Sequence, residues 1–240
     1  MLARSVARTG DAGQVAALPL WLSTRAMVRA HCHARMAGGR DLAEAFLSDA
    51  EARLQPPAPM LVAIGGLQGT GKTWLARRLA PRIGAAPGAL HLRTDEVRKR
   101  LAGVGPEDRL PPEAYAPERS AAVHAELFAL AEAALRGGHA VVTDAVFLDP
   151  AVRAGVEAVA AGAGVPFRGL WLEARMDVLE TRISGRRGDA SDATVEVMRR
   201  AAAVDPGPMN WHRLDASGDA LAAALDSLPL KCDAAAPESW

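Results

Sequence analysis

Residues 60–75 read Met60-Leu61-Val62-Ala63-Ile64-Gly65-Gly66-Leu67-Gln68-Gly69-Thr70-Gly71-Lys72-Thr73-Trp74-Leu75. An apolar run of strand length leads into GxxxxGK[ST] and then into an amphipathic stretch, the order of elements that a phosphate-binding loop requires. The glycines at 66, 69 and 71 permit backbone conformations closed to other residues, so successive N–H groups of Gly66, Leu67, Gln68, Gly69, Thr70, Gly71, Lys72 and Thr73 can turn inward around phosphate oxygens at a helix N-terminus. Lys72 is placed to reach the β- and γ-phosphates of a nucleotide, and the Thr73 hydroxyl to complete the coordination of Mg²⁺. The competing reading is a glycine-rich turn with an incidental lysine. Composition weighs against it, because the chain has three lysines, Lys72, Lys99 and Lys231, against 25 arginines. A lysine retained where a compact ammonium is needed is informative.

Outward from this loop, strand-length apolar runs alternate with amphipathic stretches. The strands are expected at Met60–Gly65, Leu90–Thr94, Ala140–Thr143, Phe167–Leu172 and Trp211–Asp215. The helices between them are expected at Lys72–Leu79, Asp95–Leu101, Pro117–Arg136, Pro150–Ala161, Met176–Ser184, Asp192–Val204 and Asp219–Leu228. Such alternation builds a parallel sheet covered on both faces, an α/β/α arrangement with its ligand site at the carboxyl ends of the strands. QPPAP at 55–59 marks a boundary. Before it, apolar residues at helical spacing predict helices at Thr24–Met36 and Asp41–Leu54, joined at Gly38-Gly39. The chain thus divides into a helical segment 1–57, an α/β domain 58–230 and a tail 231–240.

Composition narrows the class of partner. The 240 residues carry 28 basic and 28 acidic side chains, so no global field favours nucleic acid or an anionic membrane. Cys32 and Cys232 stand far apart and form no CxxC, which argues against a disulfide framework or zinc knuckle and suits a reducing cytoplasm. Asp11, Gly13 and Pro19 interrupt the first 22 residues before any apolar run reaches signal-peptide length. No stretch approaches the roughly 20 apolar residues of a membrane span.

The second strand ends in Thr94-Asp95, with Arg98 three residues on, so Asp95 and Arg98 project from one side of the first helical turn. A carboxylate facing the phosphate loop can orient an acceptor hydroxyl and accept its proton, and an arginine beside it can neutralise a moving phosphoryl group. Helix N-capping explains an Asp there equally well on spacing alone. Asp144 closes the third strand as a second carboxylate, acting on Mg²⁺ through water or contacting the substrate, or else capping the strand end.

The runs GGLQGTGKT, LRTDEVRKRL, AVVTDAVF and TRISGRRGDASDAT resemble the P-loop kinase-like ATP-binding domain fused behind aminoglycoside phosphotransferase-like domains, related to zeta toxins, gluconate kinases and polynucleotide 5′-kinases. The resemblance covers about 60–219. It implies a P-loop NTPase of nucleoside-kinase type, sheet order 2-3-1-4-5, with ATP and Mg²⁺ as cofactors and a small-molecule hydroxyl as acceptor. It also implies Asp95 as the acceptor-orienting base and Arg98 as a phosphate contact. Asp144 stands where relatives carry DAT, here DAV without the polar third residue. Arg182, Arg186 and Arg187 correspond to a mobile lid that closes over the phosphates, followed by Asp192 as a helix cap. The segment Arg25–Met36 is similar to the last helices of the aminoglycoside phosphotransferase-like module. On that similarity the chain starts inside a fusion architecture, with Met1 a truncated start, and antibiotic phosphorylation by the N-terminal part is not expected.

Other signals carry less. His31-Cys32-His33 places its side chains in different directions on a helix and finds no second cluster, so it does not read as a metal site. The five tryptophans read as core or rim packing. Tyr115 and His124, in the proline-rich approach to the long helix and on it, are candidates to line an acceptor pocket within the segment that sets specificity. A guanine-reading NKxD motif is absent from the sequence, which favours ATP. Two rivals stay open: a regulatory ATPase with water as its only acceptor, and a 5′-hydroxyl polynucleotide kinase, which the neutral net charge disfavours.

Overall fold

The computed structural model describes residues 2–185 and 191–229. Five parallel strands form one sheet in the order β2-β3-β1-β4-β5, as expected, with β1 at Leu61–Gly66, β2 at Leu90–Arg93, β3 at Val141–Asp144, β4 at Phe167–Glu173 and β5 at His212–Asp215. Side chains alternate across β1. Leu61 and Ala63 join a core with Leu90, Val141 and Leu127, while Val62 and Ile64 join a second core with Leu75, Leu79 and Leu170. Both faces being covered, the strand is buried throughout and reads as a continuous apolar run.

The helices that cover the sheet are α4 (Lys72–Leu79), α5 (Thr94–Leu101), α6 (Pro117–Arg136), α7 (Pro150–Gly162), α8 (Met176–Ser184), α9 (Val195–Ala202) and α10 (Ala220–Ser227). Most lie within a residue or two of the sequence reading. The exception is α9, expected from Asp192. It starts three residues later because Thr194 caps it, accepting the Val197 N–H on its side chain. Asp192 is therefore not the helix cap; its carboxylate serves contacts across the cleft described below.

Ahead of the sheet, α1 (Leu2–Thr9) precedes α2 (Leu18–Ala34) and α3 (Arg40–Arg53), which pair as a hairpin. The Ser23 hydroxyl fastens that hairpin by donating to the Ala50 carbonyl at 2.8 Å. The first expected N-terminal helix, Thr24–Met36, thus begins earlier, at Leu18, and ends at Ala34; the second is shifted by about one residue, and α1 is additional. Val6, Ala12 and Val15 are buried in the same core as Leu90 and Leu127, with Leu2 and Ala3 packed against it, so residues 2–15 pack on the sheet. His33 stacks on Phe46 at 5.4 Å between ring centres. No helix among the described residues is long and apolar enough to cross a membrane.

Arg153 ties the carboxyl edge of the sheet together. It is 4 % exposed and donates to the carbonyls of Phe147, Leu148, Pro206 and Pro208 at 2.6–3.0 Å. Trp211 packs edge-on against Phe147 and donates its indole N–H to Glu157. These contacts fix the loop after β3, and with it Asp144.

Candidate active site

The carboxyl ends of β1, β2 and β3 open into a cavity of about 1030 Å³ lined by the loop 68–73, the start of α5, the segment 110–124 and the stretch 191–200. The loop between β1 and α4 has the conformation its glycines foretell. Gly69 and Gly71 have φ of +86° and +90°, a region costly for residues with a Cβ. At Gly69 a Cβ would also stand 2.9 Å from the Leu179 carbonyl oxygen. Lys72 opens α4 and donates from Nζ to the carbonyls of Gly66 and Leu67, both at 2.9 Å.

Thr73, one residue further, donates its hydroxyl to Asp144 Oδ2 at 2.5 Å. Asp144 is 5 % exposed and has His91 Nε2 at 3.5 Å and Arg93 Nε at 3.6 Å. Burial alone would raise its pKa, but His91, Lys72 and Arg93 outweigh that and hold it down at about 2. A hydroxyl paired with an ionised carboxylate is a hard-oxygen donor set suited to Mg²⁺ beside bound phosphates.

Asp95 lies in the first turn of α5 and faces the same cavity. Burial raises its pKa, and nearby Asp144 adds to this, against the opposing pull of Arg93 and Lys72. The residue bounding the start of α5 is Arg93, and no side chain caps the helix there, so N-capping does not account for Asp95.

Arg98 also lines the cavity, though it turns toward the segment 110–124. It donates from one terminal nitrogen to the Ala114 carbonyl at 2.7 Å and to the Ser120 hydroxyl at 3.3 Å. Its guanidinium carbon stands 4.7 Å over the Tyr115 ring. Tyr115 donates to Asp192 Oδ2 at 2.8 Å, and burial with that bond raises the phenol pKa. Asp192 further accepts the Leu110 N–H at 3.2 Å and has Lys99 Nζ at 3.6 Å. His124 reaches the same wall, with its pKa lowered by burial and by Arg98.

Arg182 reaches the cavity from the last turn of α8 while donating to the Ala216 carbonyl at 2.9 Å. Arg186 and Arg187, the other expected lid arginines, lie outside the described residues, as do Lys231 and Cys232.

Among the cavity residues that the sequence reading did not single out are Arg93, Trp74, Arg78 and Arg200. A charged side chain closing the strand Leu90-His91-Leu92-Arg93, directly before Thr94-Asp95, is the available signal for Arg93. Trp74 belongs to the cavity rim and not to the core, being 48 % exposed with Arg78 stacked 4.1 Å above it.

The profile of a family described as an AAA domain matches residues 61–205. Uncharacterized proteins of Mycobacterium bovis and Mycobacterium tuberculosis are 35% identical over 232 residues, which is 90% of this chain and 45% of theirs. The chain therefore spans about half the length of the curated relatives it matches. Among solved structures, a sugar kinase from a Janibacter species has a TM-score of 0.50 at 19% identity, over 72% of this chain and 96% of its own. The APS kinase of M. tuberculosis, in complex with AMPPNP and APS, has a TM-score of 0.50 at 21% identity, over 71% and 95%. At this identity the likeness is one of fold.

Proposed function

The chain belongs to the AAA-domain family, and from that premise we propose that it is an ATP-dependent phosphotransferase moving the γ-phosphoryl group of MgATP to a hydroxyl of a small molecule. The observation that carries this reading is the placement of Asp95 on the same cavity as Lys72 and the Thr73–Asp144 pair. A water-only ATPase has no need of a second wall built from Asp95, Arg98, Tyr115 and His124. A fold shared with a sugar kinase and an APS kinase supports the same reading.

In this account the N–H groups of residues 66–73 cradle the phosphates, and Lys72 exchanges its two carbonyl contacts for β- and γ-oxygens. Thr73 and Asp144 would hold Mg²⁺, which when bound neutralises charge on the β- and γ-phosphates. Asp95 orients the acceptor hydroxyl and takes its proton. A carboxylate whose pKa is raised is a stronger base than one in water, which suits that task. Arg98 braces the acceptor wall and adds positive charge next to Asp95, while Arg182 and, by resemblance, Arg186 and Arg187 add charge from the lid side. Catalysis comes mainly from positioning and electrostatics.

The test is ATP consumption with Mg²⁺ against a panel of sugars, nucleosides, aminoglycosides and 5′-hydroxyl oligonucleotides, beside Lys72→Ala and Asp95→Asn. Acceptor-stimulated turnover lost in both variants supports the kinase. ATP hydrolysis that no acceptor stimulates, with Asp95→Asn like the parent, moves the assignment to a regulatory ATPase.

A further inference from the structure

Asp192 joins two walls of the cavity that are 77 positions apart in the chain. One of its carboxylate oxygens accepts the Tyr115 hydroxyl at 2.8 Å and the Leu110 N–H at 3.2 Å, and the other has Lys99 Nζ at 3.6 Å. Lys99 is 2 % exposed and donates to the Pro106 carbonyl at 3.0 Å, so the segment 99–115 grips the carboxylate at three points. Tyr115 in turn underlies Arg98, whose guanidinium carbon stands 4.7 Å over its ring and which donates to the Ala114 carbonyl at 2.7 Å. Arg98 is one helical turn from Asp95 on α5. The orientation set at Asp192 therefore passes through Tyr115 to the wall beside the candidate base. An ammonium paired with a carboxylate out of water holds two segments in one geometry, because moving either partner leaves the other charge uncompensated. Apolar packing alone would not fix the phenol and the guanidinium above it in this way.

We propose that Asp192 is a positioning residue for the acceptor, fixing Tyr115 and, through it, Arg98 before the acceptor arrives. It acts through these two side chains and not on the reacting atoms. A wall ordered in advance spares the acceptor the entropy of ordering it, so the contribution appears in acceptor affinity. The nucleotide phosphates bind on the loop 66–73, a separate element, and gain nothing from it. The inference rests on the reading of the cavity as a kinase site with Asp95 as the acceptor base.

Hydrogen exchange of the full chain without nucleotide or acceptor, read by mass spectrometry, measures the contact independently of any activity. Asp192→Ala should speed exchange in residues 104–115, and Tyr115→Phe should speed it in residues 192–200, each by about tenfold, as for one lost hydrogen bond to a charged group. Steady-state kinetics then use MgATP and the compound of the acceptor panel that most stimulates turnover. Both variants should raise the KM for that compound about tenfold and leave the KM for ATP within about twofold of the parent. Asp192→Asn, which keeps an oxygen for Tyr115, should fall between the parent and Asp192→Ala, and the two substitutions combined should be no worse than Asp192→Ala alone. Should Asp192→Ala fail to fold, Asp192→Asn and Tyr115→Phe carry the same comparison. Exchange at the parent rate in these variants, or faster exchange with the acceptor KM unchanged or with the ATP KM raised equally, overturns the inference and leaves the kinase in place. A parent protein that no acceptor stimulates removes both.

Discussion

Thr73 and Asp144 stand 71 positions apart in the chain, yet the hydroxyl of one lies 2.5 Å from a carboxylate oxygen of the other. The pairing follows from topology, since β1 and β3 are hydrogen-bonded neighbours with Ile64 opposite Asp144. The loop that leaves β1 therefore returns its first helical turn over the end of β3.

Asp144 should make acid a selective stress. Its carboxyl sits at about 2 in the fold against an ordinary 3.8, so its ionised form is favoured by folding. That stabilisation, about 2 kcal/mol, is present above pH 4 and lost as pH falls through 2. Asp144→Asn should lower thermal stability at pH 7 and differ little from the parent at the acid end, as read by melting temperature across pH.

Asp95 has the opposite sign. Its pKa is raised by burial, so protonation favours the fold: the stabilisation is full below the ordinary carboxylate pKa and is lost as pH rises through the shifted value. Asp95→Asn should therefore raise the melting temperature at neutral pH, with the gain shrinking in acid, while acceptor-stimulated turnover falls by at least about 100-fold. Turnover and melting curves on one preparation check both halves.

Lys72→Ala should abolish ATP consumption while leaving the fold in place, because its hydrogen bonds to Gly66 and Leu67 are partly exposed and worth about 1 kcal/mol each. Calorimetric titration with ATP should show affinity falling at least about tenfold, in keeping with one lost charge-assisted contact.

Much of this was legible in the sequence, for local reasons. The bounds of α4, α6 and α8 follow from their own apolar spacing and from the residues that start them, and the loop 66–73 follows from glycine chemistry. Roles set by distant partners were not legible. Asp192 has the composition of a helix cap, but its carboxylate is engaged by Tyr115 and Leu110, and nothing near it in sequence announces that. Arg98 has the spacing of a phosphate contact and is turned to Ala114 and Ser120 by an irregular segment. Arg153 gave no signal at all, since its four carbonyl partners come from two loops.

Arg153→Met keeps the bulk but strands those four carbonyls, Phe147, Leu148, Pro206 and Pro208. Leaving buried acceptors unpaired costs about 1–3 kcal/mol each where water cannot enter. A loss of about 3 kcal/mol or more is expected in urea unfolding, with turnover reduced because the loop carrying Asp144 loosens.

The central claim is that the γ-phosphoryl group of ATP ends on a hydroxyl acceptor oriented by Asp95. Phosphorus NMR of a reaction with MgATP and the acceptor that most stimulates turnover measures its destination directly. The account predicts a new phosphate-ester resonance that grows in step with ADP and disappears in Asp95→Asn. Inorganic phosphate as the sole partner of ADP, formed equally by the parent and by Asp95→Asn, would contradict it.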